Sequence, residues 1–378
     1  MRGMSPRRPP QCSATLGSTS DGRSITERVE TVVVGAGAAG LAAAARLRGR
    51  NVVVIDRSGR IGDSWRHRYD GLQLFTPARH CALPGMPLPL DGQAQPDKHQ
   101  YADYLEQYAA SHISVRLRLG TEVLRHWFRD GRHHLFTTAG MIVADRLIWA
   151  AGGNASPVVP PFAHALAPSI RQIHSAEFRS AEELRPGPVL VVGMGQSGVD
   201  IARSTVGTHT TYLAGRSTGH VPARLAGNRA LHAFYRISVP KGAAGRVLRQ
   251  EILRRGSPLI WSTARRLADS GVVRLPRVTG VRDGLPLING EMTPAVTNVL
   301  WCTGLRPDLS WLDPRALDLQ GSPLHDRGIS TVLPRLAFVG LRLQRTLGSG
   351  FLAGMIGDAN YVISALDKTA SGSFTAAL

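Results

Sequence analysis

Lysine and cysteine are scarce in this sequence, and long apolar runs are missing. Only Lys98, Lys241 and Lys368 are lysines among 378 residues. The rest of the 45 basic residues are arginines, a bias that genome composition alone can produce. The net charge of +18 therefore says little about nucleic acid. Aromatic and basic residues are not interleaved as in a single-strand binder, so no nucleic-acid partner is expected. The cysteines are Cys12, Cys81 and Cys302, an odd number with no CxxC pair. This argues against a disulfide framework and sets a reducing cytoplasm as the expected location. The longest apolar stretch, Thr31 to Ala45, is broken by three glycines and closed by Arg46, so no transmembrane segment is expected. Metal-ligand spacing is missing too. The histidines include His133-His134 but no HExxH, and no metal is expected. No carboxylate pair or Ser/His/Asp set stands out.

What is abundant is glycine, and much of it falls in two clusters. Residues 1–28, rich in Pro, Ser, Arg and Gly, read as a disordered tail without the apolar core of a secretory signal. Order then begins with a β-branched strand, Glu30 to Val34. The turn Gly35-Ala-Gly37-Ala-Ala-Gly40, an alanine-rich helix and a second apolar strand ending at Asp56 follow. The pattern recurs from Pro188 to Val192 through Gly193-Met-Gly195-Gln-Ser-Gly198 to a strand that ends before Arg216. Two further strands enter glycine turns, at Gly152 and Gly304. They flank the second cluster and read as crossing points, where the chain leaves the first domain and returns.

Each glycine has a physical task. Gly35 permits the tight turn, Gly37 admits a pyrophosphate to the backbone, and Gly40 lets the helix pack on the strand. The helix N-terminus then offers N–H groups and partial positive charge to the anion. Asp56, 21 residues after Gly35, is the acid expected to hold ribose hydroxyls, which suits FAD. Gly193, Gly195 and Gly198 repeat the arrangement. There an arginine, Arg216, stands 23 residues after Gly193, which favours a 2′-phosphate and hence NADPH, with Arg224 able to assist. Residues 216–277 carry a net +11, read as a solvated basic face near anionic cofactors, an anionic substrate or a membrane surface.

From residue 30 onward the chain resembles the flavin-containing monooxygenases, in particular short bacterial and YUCCA-like forms. Gly62-Asp-Ser-Trp65-Arg66 is similar to the family's turn after the FAD ribose acid, and Leu72 to Pro77 with Leu83 to Pro87 to its early active-site stretch. Ile173-His174-Ser175 with Phe178-Arg179 is similar to the end of the fingerprint FxGxxxHxxx(Y/F/W). Pro168 and Ile170 stand where its leading Phe and Gly would be. The resemblance implies an α/β fold of two Rossmann-type nucleotide-binding domains, the NADPH domain inserted into the FAD domain. The expected boundaries are 29–155 (FAD), 156–294 (NADPH, with the basic insertion) and 295–378 (FAD).

It further implies FAD contacts from Arg57, Trp65, Gly152, Gly340, Gln344 and Ser349, and an NADPH contact from Ser197. His174, Phe178 and Arg66 become the candidate catalytic residues. His174 either links the domains near NADPH or is a linker histidine with a local hydrogen bond. The implied reaction is NADPH-dependent insertion of one atom of O2 into a small organic substrate through a C4a-hydroperoxyflavin, with N- or S-oxygenation favoured. A Baeyer–Villiger reaction is the runner-up; it needs a cation near the flavin, for which Arg66 and Arg79 are candidates. Phe178, where Baeyer–Villiger enzymes usually carry tryptophan, weighs against it. A disulfide reductase, a flavin oxidase and a non-catalytic nucleotide-binding protein are the remaining alternatives. The oligomeric state is left open, with a homodimer among the options.

Overall fold

β-Branched runs with no polar interruption must be buried on both faces, and the two such runs flanking the first glycine turn lie at the centre of the larger sheet. In the computed structural model, which describes residues 26–221, 233, 235–255, 259–260, 267 and 269–370, the first strand is Thr26–Val34. It pairs in parallel with Val52–Ile55 on one side and with Gly140–Trp149 on the other. Arg116–Arg118 extends the sheet past Val52–Ile55, and Leu336–Phe338 extends it past Gly140–Trp149. An antiparallel meander, Val123–Arg129 and Arg132–Thr137, hangs from Gly140–Trp149. The helices Ala38–Arg46 and Leu352–Ala370 pack against each other, their apolar residues sharing one core with Val33, Val54 and Ile148.

The second sheet has five parallel strands in the order Val273–Leu275, Thr211–Ala214, Val189–Val192, Asn298–Trp301, Arg171–His174. The segments linking the two sheets lie side by side, Ser156–Pro157 pairing antiparallel with Leu305–Arg306. Both crossing points are thus one hydrogen-bonded double linker.

Two expected boundaries move. The first strand begins at Thr26 and pairs with Met141 from there, so residues 26–28 belong to the sheet and not to the tail. Asn298–Trp301 sits between two strands of the second sheet, so the return to the first domain falls at Cys302–Arg306 and not at 295. An apolar strand ending in a glycine turn looks alike on either sheet, which is why sequence misassigned it. Of the tail, 1–25 lie outside the described residues, as does Arg224. No helix among the described residues is long and apolar enough to cross a membrane.

The meander holds a buried histidine pair. Asp313 N–H donates to His126 Nδ1 (3.2 Å), His126 Nε2 lies 3.0 Å from His133 Nδ1, and His133 Nε2 lies 3.0 Å from the Pro334 carbonyl. One assignment satisfies the chain: both rings neutral, each donating from Nε2. Burial pushes His126 down to about 4 and His133 down to about 3. Because the folded values lie below the ordinary 6.5, the unfolded chain binds more protons as pH falls. Stability is complete above about pH 6.5 and is lost between there and about pH 4, by on the order of 3 kcal/mol for His126 alone. A melting temperature that falls steeply over this window is expected; a flat profile from pH 7 to 4 would contradict the assignment.

Candidate active site

At the first glycine turn, Gly35 adopts φ +109, and a Cβ there would collide with the Ala150 carbonyl. A Cβ at Gly40 would strike the Gly35 carbonyl. At Gly37, by contrast, a Cβ would meet nothing within 4 Å. Two glycines hold the turn together and the middle one faces open space, the cradle a pyrophosphate requires. Gly37 is also the N-cap of helix Ala38–Arg46 and supplies no side-chain cap, so the first N–H groups are left to a ligand. Asp56 Oδ2 accepts from Ala36 N–H (2.6 Å) and Oδ1 from Ser58 N–H (2.8 Å). The acid thereby braces the turn, and each oxygen keeps a second lone pair for a ribose hydroxyl. These residues fit FAD.

The second turn repeats the design. Gly193 has φ +119, and a Cβ would collide with the Cys302 carbonyl; a Cβ at Gly198 would collide with Gly193; a Cβ at Gly195 would again meet nothing. Gly195 caps helix Gln196–Thr205 without a side-chain bond. Arg216 is exposed just past the end of strand Thr211–Ala214. That is the place for a 2′-phosphate contact. On the neighbouring strand Arg274 pairs in register with Leu213 and reaches Met194 in the glycine turn, Nη2 to Sδ 3.5 Å. This second cation at the same edge escaped the sequence reading because only tertiary pairing brings residue 274 beside 213.

Around the FAD turn, Arg57 is exposed next to Asp56. Trp65 packs edge-on against Tyr101 at 5.0 Å. Gly152 (φ +88) and Gly340 (φ +90) both take left-handed turns at the ends of adjacent strands, and a Cβ at Gly340 would press on Ala39 of the cradle helix. Gln344 is buried, with Oε1 accepting from Leu341 N–H (3.3 Å) and Nε2 without a partner, one unspent donor on this loop. Ser349 Oγ accepts from the Arg345 and Thr346 N–H groups, both at 3.0 Å, and so closes the loop before the last helix. Behind it, fully buried Asp358 takes Arg345 Nε at 2.9 Å, and burial pushes its carboxyl pKa up.

All three candidate catalytic side chains are committed elsewhere. Arg66 binds Asp103 (2.7 Å), Glu106 (2.9 Å) and the Ile61 carbonyl (2.5 Å), so its charge is already matched by helix Lys98–His112 and is not a free cation for a peroxide anion. Phe178, 1 % exposed, is core of the second domain beside Val189, Val199 and Leu300. His174 Nε2 meets the Gly304 carbonyl (3.1 Å), and Nδ1 accepts from Ala176 N–H (3.1 Å). Both ring nitrogens are used, tying a strand end to the return crossing, and burial lowers its pKa. Motif spacing does not report what a side chain touches.

Cys81 lies in the first domain's core and Cys302 in the second's. Burial pushes both thiols up to about 12, which leaves no thiolate for disulfide exchange. Among the described residues, then, no dithiol is present. An aromatic trio does stand out. Phe351, just after Gly348-Ser-Gly350, meets Phe75 edge-on at 5.8 Å and stacks on Tyr235 at 5.1 Å. Tyr235 arrives from the basic insertion, whose backbone bonds the FAD-domain loop through Gly348 N–H to Tyr235 O (2.8 Å) and Leu347 N–H to Ile237 O (3.0 Å). Phe75 was within the stretch singled out in sequence; Tyr235 carried no signal there.

Residues 32–220 match the family described as pyridine nucleotide-disulphide oxidoreductase. A CzcO-like oxidoreductase of Geobacillus kaustophilus is 33% identical over 89% of this chain and 97% of its own length. The indole-3-pyruvate monooxygenase YUCCA1 of Oryza sativa is 38% identical over 48% of this chain and 47% of its own. The flavin-containing monooxygenase of Stenotrophomonas maltophilia shares the fold, with a TM-score of 0.74 at 22% identity over 91% of this chain and 99% of that one. With both nucleotide cradles in place, the chain is an oxidoreductase that belongs to the pyridine nucleotide-disulphide oxidoreductase family and shares the fold of the flavin-containing monooxygenases.

Proposed function

We propose that the protein uses NADPH to reduce bound FAD and inserts one oxygen atom of O2 into a small organic substrate at nitrogen or sulfur. The observation that carries this is the pair of matching cradles, one ending at Asp56 and the other at Arg216, in a chain whose described cysteines are buried in separate cores. Bound flavin supplies the two-electron exchange with nicotinamide and the activation of O2. The protein's share is to bind, orient and exclude water. The helix N-termini at Gly37 and Gly195 hold the two pyrophosphates, and Asp56 and Arg216 read the riboses. The loop 340–351 meets the cradle helix at Gly340 and is held by Ser349 and Asp358. Phe75, Tyr235 and Phe351 supply apolar, polarisable walls suited to a sulfide or amine carrying hydrocarbon groups. A Baeyer–Villiger reaction on a ketone is the second-placed reading, since the carboxylates around Arg66 deprive that reaction of one of its two candidate cations. Oxygen uptake driven by NADPH in the holoenzyme, accelerated by a sulfide or amine and yielding its oxide, tests the proposal; uptake that only ever yields hydrogen peroxide would overturn it.

A further inference from the structure

One side chain of the first domain is buried in the core of the second. Tyr69, 5 % exposed, packs among Ile173, Phe178, Met194, Val199, Leu300 and Cys302. Its hydroxyl donates to Asp200 Oδ2 at 3.1 Å. Gln196 Nε2 donates to Asp200 Oδ1 at 2.8 Å, while Gln196 Oε1 accepts from Ile260 N–H at 3.1 Å. Asp200 thus receives one donor on each oxygen, the arrangement of a buried carboxylate satisfied from two sides. Gln196, Ser197 and Asp200 all belong to the first turns of helix Gln196–Thr205, whose N-terminus is the second cradle. Tyr69 itself lies four residues beyond Trp65, in the segment that follows the FAD turn.

The flanking backbone makes the same crossing. Asp70 N–H donates to the Arg179 carbonyl at 2.9 Å, while within the first domain the Arg68 side chain reaches the Asn154 carbonyl, Nη2 to O 3.3 Å, just ahead of the double linker. Behind them Lys98, almost fully buried, donates to the Arg68 carbonyl (2.6 Å) and to Asp70 (2.7 Å). Residues 68–70 are therefore held rigidly on the flavin side and inserted into the nucleotide side. Resting on the NADPH-to-FAD reading above, we propose that Tyr69 is a positioning residue. Its hydroxyl registers helix Gln196–Thr205 against the flavin domain and so sets how the nicotinamide meets the flavin. Phe178 has a structural share in this, since it packs in the cluster that receives the Tyr69 ring.

Hydride transfer is sensitive to displacements of an ångström or less, which can cost about a hundredfold in rate, whereas binding tolerates them. In the Tyr69→Phe holoenzyme the limiting rate of anaerobic FAD reduction at saturating NADPH is expected to fall about 10- to 100-fold. The Kd for NADP+, by contrast, is expected to move by less than about threefold, and FAD content to stay full. Amide hydrogen exchange should quicken in the peptides spanning 67–72 and 176–180, and the strands of both sheets should keep their protection. Asp200→Asn weakens the same contact from the other side. It should act in the same direction, and the double variant should be no worse than the poorer single one. If Tyr69→Phe does not give yellow protein, Asp200→Asn decides by the same measurements. An unchanged limiting rate in a yellow variant, or an effect confined to Kd, overturns the inference. Failure of NADPH to reduce the unmodified holoenzyme is a separate result, seen before any variant is made, and overturns the donor assignment with everything built on it.

Discussion

Gly37→Val is expected to fold and to purify without its yellow colour. A Cβ at this position meets no atom within 4 Å, and its φ of −78 is one that any L-residue adopts, so valine has room in the protein alone. The added methyl groups stand where the pyrophosphate must approach the backbone. Losing two charge-assisted contacts to the helix N–H groups removes about 3–6 kcal/mol, roughly a hundredfold to ten-thousandfold or more in FAD affinity. The neighbouring glycines behave differently. At Gly40 the added Cβ collides with the Gly35 carbonyl, so Gly40→Val should cost the fold itself. Absorbance near 450 nm (roughly, the flavin band) and a thermal melt of both variants separate the two effects. A fully yellow Gly37→Val protein would contradict the FAD assignment.

The second cradle should fail just as selectively. Gly195→Val also adds a Cβ into open space, on the N-cap of the helix proposed to carry the nicotinamide nucleotide. The protein should stay yellow and be reduced by dithionite, yet resist NADPH, its apparent affinity lowered by a hundredfold or more on the same reasoning (about 3–6 kcal/mol). Arg216→Ala should be milder. Losing one charge-assisted contact to a 2′-phosphate costs about 1.5–3 kcal/mol, or roughly ten- to over a hundredfold for NADPH, with NADH nearly unaffected. Titration of NADP+ and NAD+ against each variant measures the difference. Equal losses for both nucleotides in Arg216→Ala would show that the arginine does not read the phosphate, and Arg274 on the adjoining strand would be the residue to replace next.

The two cradles were legible in the sequence because their chemistry is local. A strand, three spaced glycines and a helix all lie within about twenty residues, and the packing that each glycine serves follows from that spacing. The positions of Asp56 and Arg216 at the ends of the following strands were legible for the same reason. The partners of the candidate catalytic residues were not, because what a side chain touches depends on what the fold brings against it. Arg66 is neutralised by Asp103 and Glu106 from a helix some 40 residues later, Phe178 is enclosed by strands from both ends of the inserted domain, and His174 is bonded to a turn 130 residues away. Tyr69 and Tyr235 were invisible for the converse reason. Neither sits in a recurrent pattern, and each matters only where it crosses between domains. The boundary expected at 295 shifted because apolar strands of either sheet have the same composition.

The fate of the two oxygen atoms tests the central claim most directly. The holoenzyme is given NADPH, 18O2 and in turn an aryl methyl sulfide, a tertiary amine and a cyclic ketone, and the product, water and peroxide are analysed for label. The account predicts one labelled atom in the sulfoxide or N-oxide for each NADPH consumed, the other in water, and little peroxide while substrate is present. Ester formation from the ketone alone would transfer the protein to the Baeyer–Villiger reading. Labelled hydrogen peroxide with every substrate left unlabelled would contradict oxygen insertion and make the protein an NADPH oxidase on the same scaffold.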